Sequence, residues 1–200
     1  MTKKIVVAVS VFLLLAAGSV SAQKIKVESG SIDAVKSDKK VNIQYDYSNF
    51  GVGKFKTEAE YVDVKVKEYN DKEPGKGDKF KEGWIKARKD RYEPKFEELI
   101  NDVLAKSGTT YGINPEAKYT LIVKTTFVEP GFNIGIMKQA AYVSFEYIYV
   151  ETANPTTVIA KLSQQKVPGS QVMGYDYDAG SRIAESYAKG GKMLGKLLLD

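Results

Sequence analysis

Tyr119-Thr-Leu-Ile-Val-Lys-Thr-Thr-Phe127, Ala141-Tyr-Val-Ser-Phe-Glu-Tyr-Ile-Tyr-Val150 and Thr157-Val-Ile-Ala-Lys-Leu162, the last trailing to Lys166, decide the fold. Each run is rich in β-branched and aromatic residues and is bounded by Gly, Pro or Asn, which is how strands read. Tyr119, Leu121, Val123 and Phe127 fall on one face of the first, and Ala141, Val143, Phe145, Tyr147 and Tyr149 on one face of the second. Lys124, Thr126, Ser144 and Glu146 fall on the other faces. Alternation of period two marks a sheet with one buried and one wetter side. A three-strand meander over 119–166 is therefore the expected scaffold.

Working outward, Lys24 to Glu28 alternates as a short edge strand with a charged face. Residues 29–40 read as a polar turn with Ile32 and Val35 as possible anchors, and Val41, Ile43, Tyr45 and Tyr47 mark a second strand. Thr57-Glu-Ala-Glu60 has the capping-box pattern and predicts a helix over 58–70. A longer helical pattern follows from Lys79 to Lys106. Pro94 divides it into helices over 79–91 and 94–106, because proline lacks the N–H donor and fits a first turn. Phe96, Leu99, Ile100, Val103 and Leu104 form the apolar stripe of the second. A final helix, capped by Asp176 or Asp178, runs to Leu198 with Ile183, Tyr187, Leu194 and Leu198 as its large apolar row. Gly190, Gly191 and Gly195 within it predict close packing of its backbone on the sheet. The fold class is α/β, an α+β sandwich: one mixed, mostly antiparallel sheet with helices packed against it.

Lys3 and Lys4, the apolar run Ile5–Ala17 and the small residues Val20 and Ala22 form the pattern of a secretory signal peptide cleaved after Ala22. The expected organisation is a signal peptide over 1–22 and a single α/β domain over 23–200. The expected location is periplasmic or secreted, with no transmembrane segment after cleavage. The chain of 200 residues has neither Cys nor His. That removes a lipid-anchor thiol, disulfides, thiolate metal sites and the commonest general base. The net charge of +5 comes from interspersed charges, so no nucleic-acid surface is indicated.

No chemical motif is complete. Gly51-Val-Gly53-Lys54 fails as a phosphate loop because Ser48 stands where a Gly is needed and Phe55 where Ser or Thr should be. Asp176-Tyr-Asp178-Ala-Gly180 fails as a calcium loop because Tyr187 replaces the closing Glu. Asp90, Glu93, Glu97 and Glu98 are clustered, but acidic residues at a helix start also serve its dipole. No catalytic residue, cofactor or metal is expected. Two patches are candidates for binding. Trp84, Arg88, Arg91 and Tyr92 combine aromatic and guanidinium groups at helical spacing. The alternative for these is that Trp84 caps the core and the arginines pair with nearby carboxylates. The connection 129–140 carries Phe132, Ile134, Ile136 and Met137 where a surface loop is ordinarily polar. It either folds over the core or offers an apolar contact to a partner.

The run from Tyr92 onward resembles a family. A helix ends in Leu-Ala-Lys-Ser-Gly108, a strand Tyr119-Thr-Leu-Ile-Val follows, then a glycine-containing loop and Val143-Ser-Phe-Glu-Tyr-Ile-Tyr-Val-Glu-Thr. A turn at Asn154-Pro155, a third strand at Val158 and the helix Arg182-Ile-Ala-Glu-Ser-Tyr-Ala-Lys-Gly-Gly-Lys complete it. The pattern, over about residues 92–198, is similar to periplasmic α/β domains of the TolB amino-terminal and curli-secretion lipoprotein type. The resemblance implies a binding or assembly role in a bacterial envelope without catalytic residues. The lipid-anchor Cys is missing. The expected function is a non-catalytic envelope protein that binds another envelope protein or itself. The alternatives are a small-molecule or glycan binder using exposed aromatics such as Trp84 and Tyr92, or a carboxylate-dependent hydrolase.

Overall fold

The computed structural model describes residues 24–134, 137–169 and 179–200. The signal-peptide reading and the capping role of Asp176 or Asp178 concern residues outside these. In chain order the elements are β1 (Ile25–Gly30), α1 (Asp33–Lys36), β2 (Lys40–Asp46), β3 (Gly51–Val52), α2 (Glu58–Asn70) and α3 (Lys76–Ala87). A π-helical turn (Arg88–Tyr92) leads to α4 (Glu93–Leu104) and β4 (Thr110–Gly112). Then come β5 (Tyr119–Glu129), β6 (Phe132–Ile134), β7 (Met137–Gln139), β8 (Tyr142–Glu151), β9 (Val158–Pro168) and α5 (Ala179–Leu199).

Seven strands form one mixed sheet in the order β1-β9-β8-β5-β2-β4, with β3 pairing the end of β5 beyond β2. The meander β5-β8-β9 is antiparallel, as is β1 on β9. By contrast β2, β3 and β4 join in parallel. Helices α4 and α5 cover one face. There Phe96, Ile100 and Leu104 of α4 and Ile183, Tyr187 and Leu194 of α5 meet Leu121, Val123, Phe145, Tyr147, Tyr149 and Leu162, all essentially buried. No described helix is long and apolar enough to cross a membrane.

Three local outcomes differ from simple periodicity. The alternation in β5 does not continue to Phe127, because a bulge between Thr125 and Phe127 opposite β8 advances the chain by one. Thr125 and Val128 take the buried positions, and Phe127 stacks on Tyr142 with ring centroids 5.7 Å apart. Pro94 does not separate two helices by a break. The chain passes through the π turn, in which the N–H of Glu93 donates five residues back to Arg88, and Pro94 falls in the first turn of α4. The α5 glycines serve two surfaces: Gly190 faces Phe145 and Tyr147 of the sheet, whereas Gly191 and Gly195 face α4. The Thr57 cap holds as read, its hydroxyl accepting from the N–H of Glu60 at 3.2 Å.

Helices α2 and α3 form a hairpin beside the sandwich. Tyr61, Phe80 and Trp84 meet there, with Tyr61 and Trp84 rings 5.0 Å apart. Arg88, at the start of the following turn, is tied to this cluster through Glu58, which also accepts from Trp84.

Candidate partner-contact site

The connection between β5 and β8 is a hairpin arm. Its strands β6 and β7 form a separate two-stranded sheet, pairing Phe132 with Gln139, Asn133 with Lys138 and Ile134 with Met137. Phe132 is 38% and Met137 58% exposed, so these two side chains lie outside the core. Ile136 lies outside the described residues, and of Ile134 the register alone is defined.

The base of the arm is built tightly. Gly131 turns the chain at φ +62°, and a Cβ there would lie 2.4 Å from the carbonyl oxygen of Gln139, so only glycine suits the position. A carboxylate oxygen of Glu129 accepts from the N–H of Gly131 at 3.0 Å. Arg182, in the first turns of α5 and 7% exposed, donates Nε to the carbonyl of Pro130 and Nη2 to that of Gly131, each at 3.1 Å. Bonds from a charged donor to carbonyls are stronger than neutral ones. The guanidinium therefore ties the arm to the same helix that covers the sheet. Sequence reading did not single out Arg182 or Glu129. The available signal was a lone arginine among Ile183, Ala184, Tyr187 and Ala188, on the face of a helix that has to be buried.

The second patch is dispersed. Trp84 is 8% and Tyr92 5% exposed, so neither is an exposed aromatic. The indole N–H of Trp84 donates to Glu58 at 2.6 Å, and Arg88 pairs with the same carboxylate while its guanidinium lies 4.4 Å from the Tyr47 ring centre. Tyr92 stacks on Tyr187 at 5.1 Å. Arg91 is exposed and reaches the Ser181 hydroxyl at 3.4 Å. The two arginines diverge: Arg88 turns to Glu58 and Tyr47, whereas Arg91 reaches toward the start of α5. Trp84 and Arg88 thus follow the core-capping alternative. Trp84, Arg91 and Tyr92 still edge an open cleft of about 350 Å³ between α3 and the start of α5.

The clustered carboxylates separate into two kinds. Asp90 and Glu98 pair with Lys86 and Lys95 on the surface. Glu93 and Glu97, one helical turn apart, line a cleft with Tyr45 of β2. The Tyr45 hydroxyl donates to Glu97 at 3.2 Å, and that of Tyr47 to Glu93 at 3.4 Å. Burial pushes both phenols well above the usual range, so they act as neutral donors. Burial, and then the charge of Glu93, raises the Glu97 carboxyl above its ordinary value.

Fold and site together define a two-layer α/β sandwich bearing an anchored hairpin arm. No protein-family model matches the chain, and no curated protein matches it in sequence. Among solved structures it is similar to the PelC dodecamer from Paraburkholderia phytofirmans, at 15% identity and a TM-score of 0.37, covering 83% of this chain and 97% of that one. A single-substitution variant of that dodecamer in another crystal form gives 16% identity and 0.36, covering 83% and 96%. Superposition at that level assigns neither function nor partner.

Proposed function

We propose that this is a non-catalytic protein of the bacterial envelope, periplasmic or secreted, that binds another envelope protein or a second copy of itself through the β6–β7 arm. The observation that carries the reading is the pairing of exposed Phe132 and Met137 with an arm base fixed by Gly131 and Arg182. Large apolar side chains in water are unfavourable by roughly 1.5–3 kcal/mol each relative to burial. An arm already held in shape loses less freedom on binding than a loose loop. The signal-peptide pattern and the resemblance of residues 92–198 to periplasmic assembly domains supply the envelope setting.

The test is a Phe132→Asp, Met137→Asp double variant, compared with the parent by crosslinking and pull-down from intact cells and by sedimentation of the purified chain. The expected result is loss of the captured partner or of the oligomer, with the melting temperature unchanged within about 2 °C, since neither side chain is core. Retention of both partner and oligomer, or a parent chain that captures no partner in cells and sediments as a monomer when purified, refutes the reading.

A further inference from the structure

The sheet has two outer edges, and they are treated differently. At the β1 edge a bulge at Glu28 interrupts the register between Val27 and Ser29, and Lys24 and Lys26 precede it. Bulges and charged side chains are the devices that keep edges from pairing with other chains. At the opposite side β4 covers β2 only over Lys40–Asn42. The chain then leaves the sheet through Ile113, and Pro115 has no N–H to continue a ladder. From Ile43 to Asp46 the inner side of β2 is paired to β5 in regular register. Its outer side has no strand partner among the described residues. Four residues at about 3.3 Å each leave roughly 13 Å of open edge. Within Ile43–Asp46 there is neither a bulge nor a lysine; Gln44 is neutral and exposed, and the one charged residue, Asp46, lies 4.0 Å from Lys124 of β5, the inner neighbour.

This gap opens into the cleft of about 430 Å³ lined by Gln44, Tyr45, Lys89, Glu93, Glu97 and Ile113. Its charges are unevenly matched. Glu93 is bonded by Lys89 at 2.7 Å and by the Tyr47 hydroxyl. Glu97 has the neutral Tyr45 hydroxyl and no ion pair among the described residues. Ile113, 87% exposed, stands at the rim as apolar surface without a function in the core.

We propose that this notch accepts an extended basic segment of a partner protein, which adds as a strand to the outer edge of Ile43–Asp46 and places a Lys or Arg side chain on Glu97. Backbone pairing supplies affinity, and the carboxylate with its apolar rim selects a long-stemmed cation. Ile113 contacts the methylene stem, as such side chains bury their stems and keep the charged head on its partner. The site shares no residue with the arm and stands whether or not the arm binds a partner.

The experiment uses the full chain and a labelled, end-blocked hexapeptide Lys-Val-Lys-Val-Lys-Val, read by fluorescence anisotropy. Saturable binding is expected, weakened at least five-fold by Glu97→Gln and at least five-fold by Ile113→Asp. The Glu-Val-Glu-Val-Glu-Val peptide is expected not to bind, nor the basic peptide carrying N-methyl groups on alternate residues facing the edge. Circular dichroism and melting of both variants establish that they remain folded, and the Phe132→Asp, Met137→Asp variant is expected to bind the peptide as the parent does. Failure of the basic peptide to bind, equal binding of the acidic or N-methylated peptide, or indifference to Glu97→Gln overturns the proposal. So does a change in the protein's own sedimentation with Glu97→Gln and no peptide binding, which would make the occupant a second copy.

Discussion

The same substitution, Gly to Ala, has opposite expected effects at two helical positions of this protein. At Gly191 in α5 an added Cβ would lie 2.3 Å from the carbonyl oxygen of Phe96 and 3.1 Å from its carbonyl carbon. Ordinary contact begins at 3.4 Å, so the methyl group is more than 1 Å too close to α4, and what it meets is backbone. No rotamer change relieves that overlap; the two helices have to move apart, away from the Phe96, Ile100 and Leu194 packing that covers the sheet. Overpacking of a well-filled interior costs about 1–3 kcal/mol, and a backbone clash falls at the upper end. Replacing glycine inside a helix returns about 1 kcal/mol, leaving a net loss of about 2 kcal/mol. At Gly83, inside α3, an added Cβ meets nothing within 4 Å. There the helix term stands alone, and Ala stabilises by about 1 kcal/mol. Urea unfolding followed by circular dichroism measures both. With an m-value of about 2 kcal/mol/M, Gly191→Ala lowers the midpoint by about 1 M and Gly83→Ala raises it by about 0.5 M. A neutral or stabilising Gly191→Ala would mean that α4 and α5 are not in backbone contact, and the packing described above would be wrong.

Arg182→Leu keeps the apolar stem but leaves the carbonyls of Pro130 and Gly131 without their donor; a loss of at least about 2 kcal/mol is expected. Amide exchange at Gly131 and Phe132 should speed up more than exchange in β8, and uniform acceleration would show that Arg182 supports the core as a whole. Glu97→Gln tests the raised carboxyl. A folded-state pKa above the unfolded one means that the folded protein binds the proton more tightly, so ionisation destabilises as pH rises from about 4.5 through the folded value. The Gln variant, which still accepts from Tyr45, should therefore match the parent below the carboxylate range and equal or exceed it at pH 7. A variant less stable at pH 7 than at pH 4, relative to the parent, contradicts the assigned direction.

The long elements were legible because one local pattern dominated each. Within β8, Val143, Phe145, Tyr147 and Tyr149 share one face of a central strand, and all four are buried. Thr57 with Glu60 announced α2 to the residue. The failures share a cause: they depend on what a second segment does to the first. The bulge that displaces Phe127 is a relation between β5 and β8, invisible to the periodicity of β5 alone. The short strands β3, β4, β6 and β7 have two or three residues each, too few for any period to register. The burial of Trp84 and Tyr92 is imposed by Tyr61 and Tyr187, which are distant in sequence.

The two candidate contacts divide along the same line. The arm drew attention through Phe132, Ile134, Ile136 and Met137, large apolar residues in a connection that is ordinarily polar, but composition left open whether they fold over the core; the structure leaves Phe132 and Met137 exposed. The notch drew none. Glu97 reads as an ordinary first-turn acid, Gln44 as an ordinary strand residue and Ile113 as part of a loop. What joins them is the early end of β4 at Gly112, which leaves Ile43–Asp46 of β2 with a strand on one side and, among the described residues, none on the other. A site made from a missing neighbour has no composition of its own. It becomes visible only when the hydrogen-bonding groups of each strand are followed to their partners, and the outward-directed groups of alternate residues over Ile43–Asp46 meet no strand among the described residues.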